Sequence, residues 1–198
     1  GHPRRRVMSA PTVAAFDVDG TLTTRDSVVP FLLTVAGRLR LALGIARQPL
    51  ALARGIAGRD RDQIKAVAVR AAYAGRTPQE IDALGRDYCR HMVDSLMRPD
   101  TLGRLRWHQS QGHSVVLVSA SLAAYLRPLA EQLALDGVLC TDGVVGSDGR
   151  YTGDLLDGNC RGPEKQRRLR AWMVANGLAD ATVWAYGDSA GDREMLAA

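Results

Sequence analysis

The chain has 198 residues, 46% of them hydrophobic, with a formal net charge of +5. That is enough to bury a core of one domain plus an insertion, while no apolar run approaches the roughly 20 residues that cross a bilayer and no secretory signal pattern is read. The basic balance comes without interleaved aromatics or a nucleic-acid-binding motif, so no nucleic-acid partner is expected and anionic substrates account for the charge equally well.

Gly1-His2-Pro3 reads as a cloning remnant, because no initiator Met precedes it. The first structural signal is the apolar run Val13-Ala14-Ala15, a buried strand that delivers Phe16-Asp17-Val18-Asp19-Gly20-Thr21 at its C-terminal end. Asp17 and Asp19 flank one residue, so on an extended backbone both carboxylates point to the same side. Like charges that close need a cation or a proton between them. The economical reading is a divalent-metal site with a carboxylate nucleophile, although an isolated aspartate pair after a strand is more often a turn or cap device.

From Ser27 to about Arg98 the chain is rich in Ala, Leu and Arg, with helical periodicity and no convincing strand. Within it Thr77-Pro78-Gln79-Glu80 carries a helix start, with Thr77 as N-cap, Pro78 in the first turn and Glu80 closing a capping box. Pro99 opens another helix to about Gln111, ended by Gly112. Ser114 to Val118 is a second strand, followed by Ser119-Ala120-Ser121 and a helical segment from Leu122 to Leu135. Val138 to Cys140 is a third strand, and Val144 to Thr152 a hairpin around Ser147-Asp148-Gly149. A basic helix covers about Glu164 to Asn176 and stops at Gly177. The last strand, Thr182 to Tyr186, leads into Gly187-Asp188-Ser189-Ala190-Gly191-Asp192. Strands alternating with helices imply a parallel sheet, hence an α/β core with an inserted helical region.

Four pieces then stand at strand ends or helix starts: Asp17 with Asp19, Ser119, Lys165, and Asp188 with Asp192. Splitting a phosphate ester needs a nucleophile, a metal, a cation for the phosphoryl oxygens and an acid for the leaving group. Magnesium takes oxygen ligands, which suits Asp17 and Asp188. Ser119 stands before a helix, where its hydroxyl and nearby N–H groups suit an anion, and Lys165 supplies a point charge.

In this order the set resembles the four motifs of haloacid dehalogenase superfamily phosphatases, over nearly the whole chain. The long helical insertion, Asn159-Cys160-Arg161-Gly162 and Tyr151-Thr152-Gly153 are similar to the phosphoserine-phosphatase-like branch, subfamily IB. The resemblance implies a Rossmann-like parallel-sheet core over 7-26 and 99-198 and an all-helical cap over 27-98. It implies that Asp17 carries an aspartyl-phosphate, that Asp19 is the acid and then the base, and that Mg²⁺ is held by Asp17, the Asp19 backbone carbonyl, Asp188 and Asp192. Ser119, Ala120, Gly20 and Lys165 would hold the phosphoryl group. For the cap-side substrate contacts, Asp26 occupies the place of a glutamate that reads the substrate ammonium, and Arg70 or Lys65 stands near the place of the arginine that reads its carboxylate. In the branch the chain also continues beyond the fourth motif with another strand and helix.

The substrate expected is a small phosphorylated metabolite, phosphoserine-like or an amino-alcohol phosphate. The alternatives are a lipid phosphate of the phosphatidylglycerophosphate type, phosphotransfer to an alcohol, or a non-catalytic phosphate- or partner-binding module. The cap stretch Ala36 to Ala57 carries Arg38, Arg40, Arg47 and Arg54 with no acidic residue. A solvated face is the favoured reading of it and a membrane surface the secondary one. Cys89, Cys140 and Cys160 lack paired metal spacing and read as reduced thiols of a cytoplasmic protein. His91, His108 and His113 default to surface or helix-end roles, and Trp107, Trp172 and Trp184 to the core or its margin.

Overall fold

The computed structural model describes residues 11–197; the reading of Gly1-His2-Pro3 and the first positions of the expected core segment from residue 7 lie outside them. Strand β1 (Thr12–Phe16) is followed by five helices, α1 (Val28–Ala36), α2 (Arg38–Ala46), α3 (Pro49–Ala57), α4 (Arg61–Tyr73) and α5 (Pro78–Ser95). Helix α6 (Pro99–Ser110), strand β2 (Ser114–Leu122), helix α7 (Ala123–Gln132) and strands β3 (Gly137–Val145) and β4 (Tyr151–Leu156) come next. Helix α8 (Pro163–Ala175), strand β5 (Thr182–Tyr186) and the short α9 (Arg193–Leu196) complete the described chain.

The five strands form one sheet in the order β4-β3-β2-β1-β5. β1 pairs in parallel with β2 and β5, and Phe16 stands level with both Leu117 and Tyr186, so β1 and β5 finish together while β2 runs on past them. The chain leaves β1 toward β2 and β3 and returns on its other side as β5. That reversal opens a crevice at the carboxyl end of β1, where open α/β sheets bind their ligands. β4 runs antiparallel to β3, as the hairpin reading requires.

Period-two alternation sorts the buried side chains of the central strands into two cores. Ala14, Phe16, Val115 and Leu117 face the inserted helices and α7, whereas Val13, Ala15, Val116 and Val118 face Leu169 and Met173 of α8. The first core runs without a break from the sheet into the insertion, taking in Phe31, Leu32, Val69, Tyr73, Ile81 and Met92. At Gly85 of α5 the two layers touch backbone to backbone: a Cβ there would lie 2.1 Å from the carbonyl oxygen of Ala124 on α7. The α5 capping box forms as read, with Glu80 N–H donating to Thr77 Oγ1 (3.3 Å) and Thr77 N–H to Glu80 Oε2 (2.9 Å). Among the described residues no single helix is long and apolar enough to cross a membrane.

Three local readings are corrected. β2 does not stop at Val118 but continues to Leu122, because after a register shift Leu122 pairs with Thr141 of a longer β3. Ser119 therefore belongs to a strand and is not the residue that opens a helix. His108 is fully buried, bridging His113 (2.8 Å) and the Tyr186 hydroxyl (2.9 Å), and burial pushes its pKa down to about 4. Trp107 and Trp184 stay partly exposed beside it along the outer edge of the sheet, while Trp172 packs against the α8 core.

Candidate active site

Asp17 is the first residue beyond β1, and its N–H is tied to the carbonyl of Tyr186 at 2.9 Å, so the neighbouring strand β5 fixes where its side chain starts. Its carboxylate is buried and meets the ammonium of Lys165, from the first turn of α8, at 2.7 Å. The same ammonium contacts Asp192, so one buried cation bridges two buried carboxylates. Burial pushes Asp17 up from the ordinary carboxylate value and the Lys165 charge opposes it. Burial acts the same way on Asp192, but donation and charge from Lys165, with the Ser189 hydroxyl and N–H, hold it below its ordinary value. Asp192 thus caps its own turn and serves the site, one oxygen for each task.

Asp188 completes an acidic group. Oxygens of Asp17, Asp188 and Asp192 all lie within 4.8 Å of one another. Two glycines make room for them. Gly20 sits at φ +80° and a Cβ on it would fall 2.2 Å from Asp188 Oδ2; one on Gly187 would fall 2.6 Å from Asp192. The donor set is all oxygen, three carboxylates strong, and fits a small hard dication.

Asp19 sits in different company. It has no cation within ion-pair distance among the described residues; instead Ser27 N–H donates to Oδ1 (3.1 Å) and the Ser121 hydroxyl to Oδ2 (2.7 Å). Burial lifts its pKa to about 6 against the pull of those two donors. Two carboxylates two residues apart are therefore tuned differently, one matched to a cation and one ready to keep a proton.

Ser119 is buried beside them, its Oγ accepting from Ser121 N–H at 3.2 Å, and Ala120 is the residue between. From the opposite side Lys65 of α4 reaches in, donating to the Ala120 carbonyl, to Asn159 Oδ1 (2.7 Å) and to Thr141 Oγ1 (3.2 Å). Burial pushes the Lys65 pKa down to about 8, with Asp19 pulling the other way.

Asp17, Asp19, Gly20, Ser119, Ala120, Lys165, Asp188 and Asp192 thus gather at one crevice. Of the three cap-side candidates, Lys65 reaches into the site, whereas Asp26 and Arg70 are engaged in other contacts. Asp26 is exposed and caps α1 through Val29 N–H at 3.0 Å. Arg70 is half-exposed and pairs with Asp154 of β4. Ser27, Ser121, Thr141 and Asn159 enter the site without having been singled out as site residues; Ser121 and Asn159 did stand inside quoted motifs, which is the signal that could have found them.

Comparison with known proteins gives a consistent answer. A family model described as haloacid dehalogenase-like hydrolase matches residues 14–197. The CicA protein of Caulobacter vibrioides is 38% identical over 187 residues, covering 94% of this chain and 82% of that protein. A probable phosphatase of Mycobacterium tuberculosis is 26% identical over 198 residues, covering 96% of this chain and 67% of its own length. Among solved structures, a probable phosphoserine phosphatase from Vibrio cholerae superposes with a TM-score of 0.64 at 19% identity, covering 95% of this chain and 54% of that one; at that identity the likeness is one of fold.

Proposed function

Since the chain belongs to the haloacid dehalogenase-like hydrolases, we propose that it is a Mg²⁺-dependent phosphomonoester hydrolase working through an aspartyl-phosphate on Asp17. The observation that carries this reading is the unequal pair: Asp17 matched by a buried ammonium, Asp19 held only by neutral donors. A nucleophile must be ionised and a general acid must hold a proton: the Lys165 ammonium opposes the burial that raises Asp17, while burial lifts Asp19 to about 6. The relative named as a probable phosphatase supports the same class.

In the first half-reaction an Asp17 carboxylate oxygen attacks phosphorus while the bond from phosphorus to the ester oxygen breaks, and the Asp19 proton passes to that oxygen. In the second, Asp19, now ionised, takes a proton from water as the water oxygen attacks phosphorus. The phosphorus–Asp17 bond breaks, leaving inorganic phosphate and both carboxyl groups as they began. Lys165, the Ser119 hydroxyl and the backbone at Gly20 and Ala120 hold the phosphoryl oxygens. Asp17, Asp188, Asp192 and the Asp19 carbonyl would hold Mg²⁺, which when bound offsets phosphoryl charge. The helices of residues 27–98 act as the cap that selects the leaving group and excludes water. A small phosphorylated metabolite, phosphoserine-like or an amino-alcohol phosphate, is the substrate class, and the three free cysteines suit a reducing cytoplasm.

The test is phosphate release from a panel of phosphomonoesters with Mg²⁺, with EDTA, and with Asp17→Asn. Metal-dependent release that disappears in a folded Asp17→Asn protein is the expected result. Unchanged release in that variant removes Asp17 as nucleophile, and no release from any ester favours a non-catalytic phosphate-binding module.

A lipid phosphate is the second reading, and one surface favours it. Leu39, Leu43, Leu50 and Ile56 stand exposed on α2 and α3 among Arg38, Arg40, Arg47 and Arg54, and none of these arginines has an ion-pair partner among the described residues. Basic charge beside exposed leucines suits an anionic bilayer surface. Including phosphatidylglycerophosphate in the panel, and sedimenting the protein with anionic vesicles at physiological salt, separates the two: retention and turnover favour the lipid, their absence the soluble ester.

A further inference from the structure

Lys65 is a half-buried cation of the inserted helices that reaches in toward the sheet, yet all three of its hydrogen-bond acceptors are neutral: the Ala120 carbonyl, Asn159 Oδ1 and Thr141 Oγ1. An ammonium drawn out of water without a carboxylate in hydrogen-bond contact costs stability that a methionine of similar reach would not. The acceptors are themselves held in place. Asn159 Oδ1 also accepts from the Thr141 hydroxyl (2.8 Å), its Nδ2 donates to Asp62 of α4 (2.7 Å), and Thr141 Oγ1 accepts from Cys160 N–H (3.1 Å). The ammonium is therefore presented to one fixed spot.

That spot is the carbonyl of the Ala120–Ser121 peptide unit. The N–H of the same unit donates to Ser119 Oγ, and the Ser121 side chain donates to Asp19 Oδ2. A single planar peptide thus orients both a group that grips the phosphoryl oxygens and the group that moves the proton. We propose that Lys65 is a positioning residue, which pins the Ala120–Ser121 peptide from the cap side and thereby sets Ser119 and Asp19 for phosphoryl transfer. The catalytic part of this inference rests on the phosphatase reading; its structural part does not.

The experiment compares wild type, Lys65→Met and Lys65→Arg by amide exchange without substrate, by thermal unfolding, and by hydrolysis of a generic aryl phosphate. In Lys65→Met the segment Ser119–Leu122 should exchange faster while β1 and α8 are unchanged. Its kcat should fall on the order of 10- to 100-fold, as expected when reacting groups are misplaced, with KM moving less than about 3-fold. Lys65→Arg, which restores the charge, should recover part of kcat. Unaltered exchange at Ser119–Leu122 overturns the proposal, and so does exchange that rises equally through α4 and β4, which is the mark of a general brace. If wild type hydrolyses no phosphomonoester, the phosphatase reading fails while the exchange data still decide whether Lys65 holds the peptide.

Discussion

Asp19 holds its proton to higher pH than a free carboxyl because it is withdrawn from water with hydroxyl and amide donors and no cation in ion-pair contact among the described residues. This has a thermodynamic consequence that can be measured without a substrate. Its folded pKa of about 6 exceeds the ordinary 3.8, so between those values the folded protein holds a proton that the unfolded chain has released. Stability contributed by that proton is present below about pH 4 and is lost as pH rises through 6. In metal-free buffer Asp19→Asn should therefore be more stable than wild type at pH 7.5 by roughly 1–3 kcal/mol and close to equal at pH 3.5, by urea unfolding. An equal gain at both pH values would show that the proton is not responsible. At this scale Asp17 and Lys165 were legible because one stands directly after a strand and the other in the first turn of a helix. Ser121 and Asn159 were not, because their contacts join positions 94 to 102 residues apart and no local pattern announces them; Lys65 was named only as a neighbour of the expected cap arginine. Arg70 shows the converse: chain order put it near the substrate, but Asp154 of the hairpin takes its guanidinium.

Helix starts and strand cores were readable from local chemistry, as the Thr77–Glu80 box and the buried run of β1 show. The end of β2 was not. Ser119-Ala120-Ser121 looks like a break between strand and helix, but cross-strand pairing with β3 carries the extended backbone to Leu122. Tertiary pairing overrode local propensity there. Gly85 is another such position, since a glycine inside a helix reads as a weak spot until the neighbouring helix is in view. Gly85→Ala should destabilise the protein by about 1–3 kcal/mol, because the added methyl must push against the Ala124 backbone rather than a movable side chain. A melting temperature within error of wild type would mean that α5 and α7 are not in close register.

For the molecule as a whole, strand order was beyond the sequence: alternation of strands and helices implies a parallel sheet but not which strand lies in the middle. β2 lies there with β1 beside it, and the reversal of winding at β1 brings Asp17 and Asp188, 171 positions apart, to one crevice. A metal bound there favours the folded state alone. At 100-fold excess over its Kd, Mg²⁺ should raise the melting temperature by roughly 5 °C, and Asp188→Asn should abolish most of the rise. No shift in wild type would argue against the acidic group as a Mg²⁺ site.

The close approach of Gly85 to Ala124 also bears on how such proteins can be recombined. Chimaeras that trade specificity are usually cut where an insertion leaves and rejoins its core, which in this chain would be near residues 27 and 98. Here that cut would part α5 from the face of α7 that receives its bare backbone at Gly85. A seam between α4 and α5 keeps α5 with α7, provided that Lys65 of the graft meets equivalents of Ala120, Thr141 and Asn159 in the recipient.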